Sequence, residues 1–156
     1  MKNKHGDGYI MVCVTVVILC MLLSVFVSFA SAVNIVRQTE RNSRVVLDNF
    51  VMQNAIDIYD SIKEGTDTIA LIDEDEYISQ FCSFNSLDLR GDNLYCCDED
   101  GNEQYRLTKP VLTFITEEEL KLQAEYTVII PMYFAGLKFS EASVPITVVS
   151  RLDNKF

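Results

Sequence analysis

From Tyr9 to Val36 the chain carries no charged residue, and this run constrains the fold more than any other feature. It is long enough to cross about 30 Å of hydrocarbon as an α-helix. It contains no proline, and the last glycine before it ends is Gly8. In lipid, backbone groups must be bonded within the segment, so helix is expected despite the many Val and Ile residues. The run ends in SVFVSFASAVNIVRQTERNSR, residues 24–44, where Ala30-Ser31-Ala32 matches the small-x-small pattern of signal peptidase. Cleavage after Ala32 would release a secreted domain; an unbroken helix would give a membrane-rooted rod with a head. A cleaved signal has an apolar core of about 7–15 residues. Here the core extends from Ile10 to Ala30 with no helix breaker, so the unbroken helix is the leading expectation.

Charge divides the chain in the same way. Residues 1–64 hold six Lys/Arg and six Asp/Glu, whereas residues 65–156 hold seven against seventeen. The formal net charge of −10 therefore belongs to the C-terminal part. An acidic head repels nucleic acid and anionic headgroups, which argues against nucleic-acid binding. Lys2, Lys4 and the amino terminus flank one end of the apolar run; Arg37, Arg41 and Arg44, diluted by Glu40, flank the other. The positive-inside rule is nearly balanced. The short first flank and the acidic head favour a cytoplasmic N-terminus and an extracytoplasmic head in a single-pass cell-membrane protein.

Past Val36, Val45, Met52 and Tyr59 recur every seven residues, with Ala55, Ile56 and Ile62 on the same side. This predicts that one helix of roughly 80 Å continues from Tyr9 to Glu64 and stops at Gly65. Downstream, LKLQAEYTVIIPMYF places Leu120, Leu122, Ala124, Tyr126, Val128, Ile130, Met132 and Phe134 on even positions, a strand with one buried face. Pro131 marks an edge or bulge near its end, and Ala135-Gly136 a turn. The partner strand LKFSEASVPITVVSRL switches apolar parity, which predicts a bulge near 140–143. LYCCDEDGNEQYRL reads as a hairpin with an Asp-Gly turn. VLTFIT adds a strand, and DEDEYISQFCSF a short helix capped by Asp73. The predicted fold is α+β: a long N-terminal helix packed on a C-terminal antiparallel β-meander. Its parts are a polar leader at 1–8, a membrane-spanning half at 9–36, an amphipathic half at 37–64 and an acidic β-rich head at 65–156.

Few residues carry recognisable chemistry. The lone histidine, His5, lies across the membrane run from the head, and no catalytic or phosphate-binding motif occurs. No enzymatic activity, small-molecule substrate, cofactor or metal is expected. Asp98, Asp100 and Asn102 alternate like the start of a calcium loop, but the glycine spacing and terminal glutamate are wrong. Cys82, Cys96 and Cys97 could form one disulfide, with one thiol left over, or stay reduced. Cys20, Ser24, Ser28 and Ala32, four residues apart, form a row of small side chains that would let another membrane helix approach closely.

The polar leader MKNKHGDG, the apolar helix, its amphipathic continuation and the C-terminal sheet share the plan of pilin-like proteins. The N-terminal half, KNKHGDGYIMVCVTVVILCMLLSVFVSFASAVNIVRQTERNSRVVLDNF, resembles TadE-like minor pilins of tight-adherence pilus systems. That resemblance implies prepilin cleavage after a glycine, for which Gly6 and Gly8 are the matching positions. The family's glutamate five residues after the cut is replaced by Met11 or Cys13, which favours a tip, initiating or uncleaved accessory subunit. The implied partners are other pilin-like subunits, the pilus assembly machinery and the lipid bilayer. The alternatives are a secreted binding domain released after Ala32 and a membrane-anchored adhesin or sensor head.

Overall fold

The computed structural model describes residues 6–64, 73–115, 121–134 and 137–151. Its elements are α1 (Gly6–Gln53), α2 (Ala55–Glu64), α3 (Glu74–Asn85), β1 (Asp88–Arg90), β2 (Asn93–Cys97), β3 (Glu103–Thr108), β4 (Val111–Ile115), β5 (Lys121–Phe134) and β6 (Leu137–Arg151). The fold is α+β, a long helix followed by a six-stranded antiparallel sheet. The chain divides into two compact units, Met1–Ile35 and Val36–Phe156.

In the first unit, α1 begins at Gly6, inside the stretch expected to be a polar leader. From Tyr9 to Phe29 its large apolar side chains are exposed. The helix is long and apolar enough to cross a membrane.

The second unit is built on the rest of α1. The expected single helix is divided at Asn54, which forms a turn between α1 and α2. The backbone N–H of Asn54 donates to the Phe50 carbonyl at 3.1 Å, and its side-chain Nδ2 donates to the same oxygen at 3.0 Å. The ladder nevertheless continues, since the Ile58 N–H donates to the Asn54 carbonyl at 3.0 Å. The interruption is thus a local irregularity that keeps the four-residue bonding step. The expected stop at Gly65 lies outside the described residues.

The core-facing stripe differs from the expected one. Thr39, Ser43, Val46, Leu47, Phe50, Val51 and Ile58 are buried, whereas Val45, Met52 and Ile56 are 46%, 76% and 75% exposed. Both sets recur with helical spacing, but Phe50 and Leu47 have the partners that the sheet and α3 supply. Phe50 meets Tyr77 of α3 edge to face at 5.4 Å between ring centroids; Tyr77 lies 6.0 Å from Phe81, and Phe81 lies 5.6 Å from Tyr126 of β5. This aromatic chain ties helix, helix and strand into one core.

Helix α3 starts as expected. The Asp73 carboxylate accepts from the N–H groups of Asp75 at 3.0 Å and Glu76 at 3.2 Å. Its acidic first turn also suits the positive end of the helix dipole. It ends at Ser86, left-handed with φ 54°.

Leu122, Ala124, Tyr126, Val128 and Ile130 of β5 are buried, as their alternation predicts; Leu120 lies outside the described residues. β6 pairs with β5 along its whole length. On the opposite edge, β3 pairs with Val128 and Ile129, and β4 with 121–125. The two short strands therefore share one edge of β5, joined by Lys109-Pro110. The register between β5 and β6 shifts between Met132 and Tyr133, which face Ser140 and Lys138, so Phe139 is the extra residue. The bulge explains the parity switch, one residue before the predicted span. Ala135-Gly136 and Thr116 lie outside the described residues.

Candidate interaction surfaces

The row Cys20, Ser24, Ser28 and Ala32 lies along α1 as a ridge of residues four apart. Cys20 and Ser24 are exposed, Ser28 and Ala32 half-buried. The Ser28 hydroxyl donates to the Ser24 carbonyl at 2.9 Å, and Thr15 bonds to Met11 in the same way at 2.8 Å. These hydroxyls are satisfied within the helix, so they present small side chains rather than unmet donors to lipid or to a neighbour. Ala30 and Ala32 lie within continuous helix. Gly6 and Gly8 form its first turns, and a Cβ added at Gly8 would meet nothing within 4 Å.

Immediately beyond the apolar run, Arg37, Arg41 and Arg44 follow one another at helical spacings of four and three. Together with Glu40 and Val45 they line a cleft of about 630 Å³. All three arginines are exposed, and none forms an ion pair among the described residues. The buried neighbours Thr39 and Ser43 face the opposite way. The Tyr126 hydroxyl, its pKa pushed up to about 12 mainly by burial, donates to the Thr39 carbonyl at 3.3 Å. Burial also pushes the Tyr77 and Tyr105 hydroxyls up. Ser43 lies beside Tyr77 and opposes that rise, but neither hydroxyl has a partner at hydrogen-bond geometry among the described residues.

The hairpin tip between β2 and β3 is held from within. Asp98 accepts from the N–H groups of Asp100 at 3.1 Å and Asn102 at 2.7 Å, and Gly101 takes φ 82°. The bond from the Asn102 backbone is the main cause that draws the Asp98 carboxyl below its ordinary pKa. This carboxylate closes the turn of the polar hairpin tip. Glu99 and Asp100 are exposed, and their carboxylates have no ion-pair partner among the described residues.

On the outer sheet face, Arg106 of β3 bonds to Glu103 at 2.8 Å and to Glu141 of β6 at 2.9 Å. Glu141 also pairs with Lys138, which with Arg106 draws its carboxyl below the usual range. This network clamps β3 to β6 across β5. All five cysteines are free thiols, so no disulfide joins Cys82 to Cys96 or Cys97 in this structure. Burial pushes the Cys82 thiol up, with Asp88 adding to it, which makes it less reactive. Among the described residues no three His, Cys, Asp or Glu side chains gather as metal ligands; His5 lies outside them.

Sequence reasoning singled out the row of small residues and the hairpin tip. It treated the arginines only as a topological signal. The spacing of Arg37, Arg41 and Arg44, next to exposed Val45, was the available sign of a surface. Comparison of the chain with protein-family models, curated proteins and solved structures gives no match.

Proposed function

We propose that the protein is a non-enzymatic, pilin-like structural subunit anchored by one membrane helix, with its N-terminus in the cytoplasm and its acidic unit outside the cell membrane. In this reading it is a minor, tip or initiating component of a Tad-type pilus or related secretion apparatus, resembling TadE-like proteins. It associates with related subunits through α1. The observation that carries the proposal is the double use of α1. Its first stretch exposes an uninterrupted apolar surface, and its later stretch is the spine of the sheet's core. Such a chain joins a folded head to a helix suited to lateral contact in lipid, where close packing of small residues drives association.

The test is energy transfer between donor- and acceptor-labelled full-length chains in phosphatidylcholine vesicles. Transfer above the random level is expected, and Ser24→Leu with Ser28→Leu lowers it. Transfer at the random level for the unaltered chain contradicts the reading. A secreted domain is the second reading, favoured by the compact unit that starts at Val36, close after Ala32. Intact mass separates the two: a mature chain starting at Val33 supports secretion, and one starting at Asp7 or Tyr9 supports prepilin processing.

A further inference from the structure

We propose that the hairpin turn Arg90-Gly91-Asp92 is a recognition site for a cell-adhesion receptor. The pocket of that receptor offers a bound divalent cation to the Asp92 carboxylate and an acidic side chain to the Arg90 guanidinium. The proposal goes beyond the assembly role and takes from it only the placement of the acidic unit outside the membrane.

The turn is tight and open. Arg90 ends β1 and faces Asn93, the first residue of β2, so Gly91 and Asp92 are the whole loop. A two-residue hairpin loop needs a positive φ at its first position, and Gly91 supplies φ 64°. A Cβ added at Gly91 would meet nothing within 4 Å. The glycine therefore serves the backbone, and the tip stands clear of its surroundings. Arg90, Gly91 and Asp92 are all exposed.

The backbone is held while the charged groups stay available. The Lys109 N–H donates to the Asp92 carbonyl at 3.0 Å, which ties the turn to the end of β3. The Asp92 carboxylate has no hydrogen bond or ion pair to any described residue. The Arg90 guanidinium lies 5.6 Å from the centroid of the Tyr95 ring and pairs with Asp88 at 3.2 Å. The side chains of that pair are 60% and 69% exposed, and pairs so exposed contribute little. An acid on a partner can replace Asp88 at small cost. The tip is shaped before contact, which lowers the ordering cost of binding.

The chemistry selects the partner. The two charges have opposite signs and sit at most about 7 Å apart between Cα atoms. A carboxylate is a hard oxygen ligand for a divalent cation. A guanidinium fork fits a carboxylate with two parallel hydrogen bonds. A surface of one sign answers only half of this pair, and anionic lipid or nucleic acid would also be repelled by Asp92 and by the acidic unit around it. A pocket with a cation at one end and an acid at the other answers both. Arg-Gly-Asp is the tripeptide that adhesion receptors of the integrin class read in this way.

Within the folded unit the turn lies away from Val36, where the unit begins. Tyr105 of β3 reaches the Thr39 side chain. The strand then runs to Thr108, which faces Asn93 beside the turn. Lys109 pairs with Asp75 in the first turn of α3 at 3.6 Å. Gln80 of α3 bonds to Gln53 and Asn85 to Asn42, so α3 starts toward the later part of α1 and ends toward the earlier part. The turn belongs to the later end.

The test measures binding of the full-length chain, in mild detergent, to the immobilised ectodomain of a fibronectin-binding integrin in manganese buffer. Saturable binding is expected, lost on addition of EDTA and displaced by an Arg-Gly-Asp peptide but not by an Arg-Gly-Glu peptide. Asp92→Glu and Arg90→Lys each keep the charge and are expected to weaken binding by about tenfold or more. Circular dichroism should be unchanged for Asp92→Glu, since that carboxylate holds nothing in the fold. Absence of binding by the unaltered chain would overturn the proposal and leave the turn a structural hairpin only. Binding that survives EDTA, or that neither substitution weakens, would overturn it too and assign attachment to another surface. The assay needs neither bilayer nor lateral contact, so its failure leaves the energy-transfer test of assembly untouched.

Discussion

Replacing Phe50 and Met52 with alanine, one at a time, separates the two faces of α1. Phe50 is 0% exposed and packs edge to face on Tyr77, whereas Met52 is 76% exposed. Phe50→Ala removes the transfer energy of a buried ring, leaves a cavity and cuts the aromatic chain to α3; the expected loss is about 3–5 kcal/mol. Against a domain stability of about 5–15 kcal/mol this is a large fraction. Met52→Ala removes a side chain that is already in water, so its effect stays within about 0.5 kcal/mol. The assay is urea unfolding of the full chain in a mild detergent, followed by circular dichroism in the strand region. Comparison of midpoints at equal slope gives the difference directly. Equal losses for the two variants, or a larger loss for Met52→Ala, would refute the helix phase described above.

Three further outcomes follow from the loops and caps. Asp73→Ala leaves the N–H groups of Asp75 and Glu76 without their acceptor and should cost about 1 kcal/mol, read by faster amide exchange in the first turn of α3. Gly101→Ala meets no atom within 4 Å but must hold φ 82°, so a loss of about 1 kcal/mol is expected from the backbone alone, measured by urea unfolding. Asp98 has a carboxyl pKa below its ordinary 3.8 in the folded chain. Its contribution is present above that ordinary value and is lost as pH falls through the lower, folded one. Amide exchange at Asp100 and Asn102, corrected for its intrinsic pH dependence, should show the tip loosening in acid, and Asp98→Asn should remove that acid response.

The legible parts of this fold were those in which one local rule acts alone. Alternation along β5 requires a buried face, and Asp73 ahead of three acids is a helix start that tertiary contacts do not disturb. The Asp-Gly step of the hairpin needs a positive φ that glycine supplies. The phase of α1 was harder, because two apolar sets interleave on it. Val45, Met52 and Ile56 are as regular as Val46, Leu47 and Phe50, and only packing partners distinguish them. Thr39 and Ser43 are buried where the helix meets the sheet, which polarity alone would place in water. The shared edge of β5 arises because Lys109-Pro110 splits one strand into β3 and β4, a consequence of long-range register. Within the candidate surfaces, the row of small residues could be read from spacing.

The most direct measurement on the central claim is the partition of the full-length chain between bilayer and water after a high-pH carbonate wash of the membranes. A chain whose α1 crosses the bilayer stays with the lipid pellet along with its folded acidic unit. Recovery of the chain in the supernatant would mean that the exposed apolar surface of α1 does not anchor it, and the account of a membrane-rooted subunit would fail.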